Sequence, residues 1–217
     1  MIIVTSPHAH VVSDKAGHIL TGGDPESGDI AAQLCALIKA YGCDTVLIDA
    51  RNYPFFTRTQ QEARELETQT KTFHSIHAVD FNRNARKGTK FDDDFEKATG
   101  TCHVDVHSCP AGTFSKKIAT MMTTSSETNN KFEQMLLRAA GSSVMGSKDA
   151  ETFMRDYCSD KDCSGLLVNA KPNTPAAAIE FSIGQTDGRA DLLKRLARCL
   201  CDFDRKRQFE SQTIVHQ

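Results

Sequence analysis

The stretch Ile2-Ile3-Val4-Thr5-Ser6-Pro7-His8 is a short apolar run that passes directly into polar residues. Two further stretches repeat this arrangement: Ala78-Val79-Asp80-Phe81-Asn82-Arg83-Asn84 and Val104-Asp105-Val106-His107-Ser108. In open α/β sheets, ligands bind beside the carboxyl ends of the strands. The three stretches therefore predict a sheet whose functional side chains meet at one edge.

Strand-like and helix-like runs alternate along the chain, which predicts an α/β fold with a mixed, mostly parallel sheet covered by helices. The first helix is predicted to reach Tyr41, with Gly42 as its C-cap. Further strands are predicted at 45–48, 74–81, 103–106, 166–168 and 177–183, further helices at 57–70, 132–139 and 192–200, and a polar loop at 123–130. No repeat or linker divides the chain, so residues 1–217 are predicted to form a single domain.

Composition narrows the class of function. The 217 residues carry a net charge of −2, so bulk electrostatics give no reason to expect a nucleic-acid partner. No run approaches the roughly 18 apolar residues of a membrane span, and no secretory signal is recognisable. The eight cysteines contain no CxxC pair, which argues against a thiolate zinc site. We expect a cytoplasmic protein without a membrane or nucleic-acid partner.

Two histidines after predicted strands, His8 and His107, are the best placed metal ligands. With one carboxylate they make the open three-ligand site of a hydrolytic zinc centre, which leaves a fourth position for water. The carboxylate is predicted to be Glu26, at the start of the first helix, with Asp29 as the alternative. The residues alone also fit a simpler interpretation, in which the histidines are strand-boundary residues and the two carboxylates cap a helix.

The order of the motifs resembles the N-formylglutamate amidohydrolase family, which is related to the zinc carboxypeptidases. Four elements carry the resemblance across most of the chain: Pro7-His8, Asp80-Phe81-Asn82-Arg83, Asp105-Val106-His107-Ser108 and Ile179-Glu180. The resemblance implies a zinc-carboxypeptidase-like (phosphorylase/hydrolase-like) fold. The chain departs from the carboxypeptidase His-x-x-Glu pattern, because position 11 is Val11, and the carboxylate ligand is therefore expected farther along.

The resemblance also implies a role for each matched residue. His8, Glu26 and His107 are expected to bind Zn²⁺, although two histidines and a carboxylate also suit iron or manganese. Asp80 is expected to orient the first histidine ligand. Asn82 and Arg83 are expected to hold a substrate carboxylate. Glu180 is expected to be the general base.

These assignments predict a zinc-dependent amidohydrolase or metallopeptidase that cleaves an amide or peptide bond next to a substrate carboxylate. The expected partner is a small-molecule or peptide substrate with a free carboxylate, for example an N-acyl amino acid. The alternative is a catalytically inactive metal-binding or interaction module on the same scaffold. For Glu180, the structural alternative is a buried partner for a site arginine.

Overall fold

The computed structural model describes residues 1–7, 9, 11–13, 19–22, 25–53, 89–109, 118–122, 126–146 and 174–214. The strands within these ranges are β1 (Ile2–Ser6), β2 (Val11–Ser13), β3 (Ile19–Gly22), β4 (Thr45–Asp49), β5 (Cys102–Cys109), β6 (Ala119–Met122), β7 (Val144–Met145) and β8 (Ala176–Ser182). The helices within them are α1 (Pro25–Ala40), α2 (Lys90–Lys97), α3 (Glu127–Ala140) and α4 (Arg189–Ile214), with 3₁₀ turns at Ala50–Asn52 and Gly141–Ser143.

Six of the described strands form one sheet in the order β4-β1-β5-β8-β6-β7. Strand β1 is parallel to both β4 and β5, and β5 is parallel to β8. Strand β6 is antiparallel to β8 and parallel to β7, while β2 and β3 form a separate antiparallel pair. The prediction of a mixed, mostly parallel sheet with covering helices is confirmed.

One face of the sheet packs against α1, α3 and α4. Apolar residues of these helices, such as Leu34, Phe132 and Leu196, form a core with Val104 and Val106 of β5. Burial of this apolar surface is the main force that holds the layers together. Because successive residues of a strand point to opposite faces, the alternate residues of β5 belong to the other face.

Helix α2 covers part of that other face. Its two phenylalanines, Phe91 and Phe95, are fully buried with Ile3, Ile48 and Ala50. The residue before this helix is Thr89, whose side chain accepts a hydrogen bond from the backbone N–H of Asp92 and so caps the first turn. This small apolar cluster ends where the polar residues of β1 and β5 begin.

The predicted helix ends agree with the structure where the apolar stripe of a helix is followed by a glycine. Both Gly42 and Gly141 have positive φ, 77° and 72°, as expected directly after a helix. The predicted strands at 45–48, 103–106 and 177–183 correspond to β4, β5 and β8, and the final helix corresponds to α4. The predictions for 57–70, 74–81 and 166–168 lie outside the described residues.

The predicted loop at 123–130 is wrong for its second half, because α3 already begins at Glu127. Ser126 is the reason, since its side chain accepts a hydrogen bond of 3.1 Å from the backbone N–H of Asn129. The polar residues of this stretch form the first turn of a helix and not a connection. Among the described helices, none has the length and apolar character required to cross a bilayer.

Replacing Ser126 with alanine is expected to lower the free energy of unfolding by about 1 kcal/mol, because α3 loses its N-cap. Thr128→Ala is the matched control, since Thr128 is an exposed residue of the same turn and is not the cap. Urea unfolding of the three proteins measures the difference. Equal stability of the Ser126 variant and the native protein would contradict the assigned start of α3.

Candidate functional site

His107 lies near the carboxyl end of the central strand β5 and is nearly buried, with 7% of its surface exposed. Its Nε2 atom is 2.9 Å from Oδ2 of Asp105. The two residues are two apart on one strand, so their side chains stand on the same face of the sheet. The aspartate therefore fixes the orientation of the imidazole ring.

Asp105 is itself held by a residue of the neighbouring strand. The hydroxyl of Thr5 donates to Oδ1 of Asp105 over 2.5 Å, and Nε2 of His103 lies 2.8 Å from the same hydroxyl oxygen. A hydroxyl has one proton, which Thr5 gives to the carboxylate, so Nε2 of His103 must be the donor to Thr5. The result is a buried chain of hydrogen bonds that runs from His103 through Thr5 to Asp105.

The charge of Asp105 is stabilised within this chain. Burial by itself raises the pKa of Asp105, but the interactions with His107 and His103 and the hydrogen bond from Thr5 together keep the pKa below its ordinary value. An ionised Asp105 is a hydrogen-bond acceptor only, so Nε2 of His107 is the donor in their contact.

Glu180 occupies the position of β8 that lies directly across from His107 of β5. On its other side the register pairs it with Thr120 of β6. Its neighbours along β8 within the core, Ile179 and Phe181, are fully buried, whereas Glu180 is half-buried. The structure thus places the predicted general base beside the predicted histidine ligand, on the same face of the sheet.

Glu26 lies in the first turn of α1 and forms an ion pair with Arg189, with 2.9 Å between Oε2 and Nη1. The other terminal nitrogen of Arg189 donates to the backbone carbonyl of Ser182, the last residue of β8. The arginine therefore holds Glu26 toward the carboxyl end of the strand that carries Glu180.

Asp29, the alternative carboxylate, is held in a different direction. It is 71% exposed and pairs with Arg51 over 2.6 Å. Arg51 also bonds both carboxylate oxygens of Asp49, at the end of β4, and the two carboxylates raise the pKa of Arg51 above its ordinary value. Because β4 is two strands away from β5, these contacts favour Glu26 over Asp29 as a residue of the site.

Four of the seven predicted site residues, His8, Asp80, Asn82 and Arg83, lie outside the described residues. The three that are described, Glu26, His107 and Glu180, lie on α1, β5 and β8. Within the described ranges, no three histidine, cysteine, aspartate or glutamate side chains come together as a metal site. The ligand set of His8, Glu26 and His107 therefore stays a prediction.

The donor chemistry of the described part fits zinc. Metal-bound histidines usually donate their second ring N–H to a carboxylate or carbonyl, and His107 donates to Asp105 in this way. A neutral imidazole nitrogen and carboxylates are ordinary zinc ligands.

The sequence analysis assigned no role to three residues of this region: Thr5 and Arg189, which hold site residues in place, and Asp105, which holds His107. The Asp105-x-His107 spacing was a usable signal, since residues two apart on a strand share a face. No local signal identifies Thr5 or Arg189, because their contacts join segments 100 and 163 residues away in the sequence.

Replacing Asp105 with asparagine is expected to weaken zinc binding by about 10- to 100-fold, because His107 loses the carboxylate that orients its ring. The matched control is Asp49→Asn, a second buried aspartate of the same sheet that contacts Arg51 and not His107. Competition with a chromogenic chelator measures the affinity of each protein. An Asp105 variant with native affinity, or an equal loss in both variants, would contradict the orienting role.

Comparison with known proteins places the chain by its fold. No protein-family model matches it, and no curated protein matches it in sequence. The CwlD amidase from Clostridioides difficile, solved in complex with the GerS lipoprotein, has a TM-score of 0.50 and 11% identity, with 94% of this chain and 96% of that chain covered. This likeness shows a shared fold.

Two further solved structures match over most of their length. One is the catalytic domain of CwlV, an N-acetylmuramoyl-L-alanine amidase from Bacillus (Paenibacillus) polymyxa var. colistinus, with a TM-score of 0.42, 8% identity and coverage of 93% of this chain and 94% of that chain. The other is the gene product Atu2144 from Agrobacterium tumefaciens, with a TM-score of 0.48, 12% identity and coverage of 97% and 91%.

Proposed function

We propose that the chain is a zinc-dependent hydrolase that cleaves an amide bond next to a carboxylate of its substrate. The observation that carries the proposal is the pairing of His107 with Asp105 on β5, with Glu180 at the facing position of β8. A histidine held in a fixed orientation by one carboxylate, with a second carboxylate at the facing strand position, supplies parts that metal-assisted hydrolysis requires.

The shared fold with the CwlD amidase supports an amide as the bond that is cleaved. The motif order supports the narrower proposal of an N-formylglutamate amidohydrolase-like enzyme with a carboxypeptidase-like fold. In that proposal the substrate is an N-acyl amino acid or the carboxyl end of a peptide.

His8, Glu26 and His107 hold the metal in this proposal. When bound, zinc supplies Lewis-acid activation of the scissile carbonyl and of the attacking water. Asp105 orients the ring of His107 through its contact with Nε2. Glu180 accepts a proton from the attacking water and transfers it to the leaving amine, which is the work of a general base followed by a general acid.

Substrate orientation is assigned to Asn82 and Arg83. A guanidinium group makes two parallel charge-assisted hydrogen bonds to one carboxylate, so the arginine both attracts and aligns the substrate. The enzyme is expected to discriminate against substrates that lack a free carboxylate, because Arg83 then has no carboxylate to bind.

The test is hydrolysis of paired substrates, N-acyl amino acids and the same compounds as carboxamides, by the zinc-loaded protein. We expect cleavage of the free acids, at least tenfold slower cleavage of the carboxamides, and loss of both after metal removal with a chelator. Arg83→Lys keeps the charge and removes the planar fork, and is expected to raise KM more than it lowers kcat. Equal rates on acids and carboxamides would contradict the carboxylate-binding role.

A further inference from the structure

A groove runs between α3 and α4 on the outer side of the helical layer. It encloses a volume of about 1050 Å³. The two helices cover the sheet face that carries Val104 and Val106, whereas His107 and Glu180 belong to the opposite face. The groove is therefore separate from the candidate hydrolytic site, and its residues are not used by the proposed reaction.

The floor of the groove is apolar. Phe132 and Met135 of α3 face Cys199 and Phe203 of α4, and the rings of Phe132 and Phe203 are 5.2 Å apart. Three of these four side chains, all except Phe132, are only partly buried. Burial of their exposed apolar surface against an apolar partner would be energetically favourable.

The rim of the groove is basic although the whole chain is slightly acidic. Its lining contains six basic and three acidic side chains, while the net charge of the protein is −2. One of the basic residues lies on α3, and the other five lie along about four turns of α4. The six basic residues are Lys131, Lys194, Arg195, Arg198, Lys206 and Arg207. Lys131 and Lys194 form ion pairs with Glu127 and Asp191, which leaves four basic and two acidic side chains in the lining. An excess of positive charge around an apolar floor is complementary to a partner with acidic flanks.

Two of the arginines are held in place by neutral groups, so their charge remains available to a partner. Arg195 donates to the carbonyls of Ala139 and Ala140 at the end of α3. The guanidinium of Arg198 stacks over the ring of Tyr41, 5.4 Å from its centroid. Lys206 forms no ion pair with any residue in the described ranges.

The shape of the groove matches a helix. Its residues on α4 extend from Asp191 to Glu210, which corresponds to roughly 29 Å of helix at about 1.5 Å per residue. Phe209 lies beside this stripe and is 73% exposed. A parallel or antiparallel helix of about 18 residues would lie along this length and place residues at i, i+3, i+4 and i+7 on the apolar floor.

We propose that the groove between α3 and α4 is a docking site for an acidic amphipathic helix of a partner protein. The apolar face of that helix packs on Met135, Cys199 and Phe203, and its glutamates or aspartates lie against the basic rim. The interaction is expected to weaken as ionic strength rises, because the charges of the rim are exposed to solvent.

The test uses the full chain and a fluorescent 18-residue peptide with leucines at i, i+3, i+4 and i+7 and glutamates on both flanks. Two control peptides replace either the glutamates with lysine or the leucines with glutamine. Fluorescence anisotropy is expected to show binding of the acidic amphipathic peptide and at least tenfold weaker binding of both controls. Equal binding of the lysine peptide, or no binding of the acidic peptide, would overturn the proposal.

The matched protein variants are Lys131→Glu with Lys206→Glu, one from each wall, and Lys39→Glu with Lys97→Glu, two exposed helical lysines outside the groove. The first pair is expected to weaken peptide binding about tenfold and the second less than twofold. Equal weakening would overturn the proposal. So would sedimentation that shows a dimer of this chain which the first pair of substitutions dissociates, because the groove would then be occupied by a second copy.

Discussion

Replacing Glu180 with glutamine is expected to reduce the rate of amide hydrolysis by about 10²- to 10⁴-fold, which is the usual contribution of a positioned acid–base group. Glutamine has nearly the same size and hydrogen-bonding reach but does not accept a proton at neutral pH. Because Glu180 lies across from His107 and is not assigned as a ligand, the zinc content of the variant is expected to equal that of the native protein.

Steady-state kinetics on the N-acyl amino acid cleaved fastest, together with metal analysis of the same samples, measures both quantities. Glu96→Gln is the matched control, since Glu96 is an exposed glutamate of α2 and lies away from β8. A Glu180 variant within threefold of native activity would contradict the general-base role. The structural alternative, in which Glu180 is a partner for an arginine, would then be the better explanation.

The Glu180→Gln variant also distinguishes between two hypotheses for the function, a hydrolase and an inactive binding module. A module that only binds metal or a partner has no use for a general base, so the substitution would leave its function unchanged. A hydrolase loses turnover while it keeps zinc. The two classes of function therefore predict opposite results for one measurement.

Local sequence patterns predicted the layers of the fold. The apolar stripe of α1 with Gly42 after it, and the apolar run that became β8, are signals of this kind, because each depends only on neighbouring residues. The start of α3 was missed because its first turn is polar throughout and resembles a loop. The N-cap at Ser126 distinguishes this first helical turn from a loop.

Only some residues of the candidate site could be predicted, because several of its contacts join distant parts of the sequence. The resemblance selected His107 and Glu180, and the structure puts them at facing positions of adjacent strands. The contacts of Thr5 with Asp105 and of Arg189 with Glu26 depend on strand order and register. Because each contact joins residues that are far apart in the sequence, composition and local spacing do not predict it.

The choice between Glu26 and Asp29 illustrates this limit. The two residues are three positions apart at the start of one helix, and the sequence separates them by a small margin. In the structure, Arg189 draws Glu26 toward the end of β8, while Arg51 draws Asp29 toward the end of β4. The direction of each ion pair, and not the residue type, favours Glu26.

Binding of a metal ion by His107 is tested by elemental analysis of the purified protein beside a His107→Ala variant. Asp49→Asn is the matched control, since Asp49 is a buried residue at the end of β4 that contacts Arg51 and not His107. We expect roughly one zinc per chain in the native protein and in the control, as for a mononuclear hydrolytic site, and a large loss in the His107 variant. A native protein that holds no metal after zinc is supplied at neutral pH, or a His107 variant that retains its zinc, would contradict the claim.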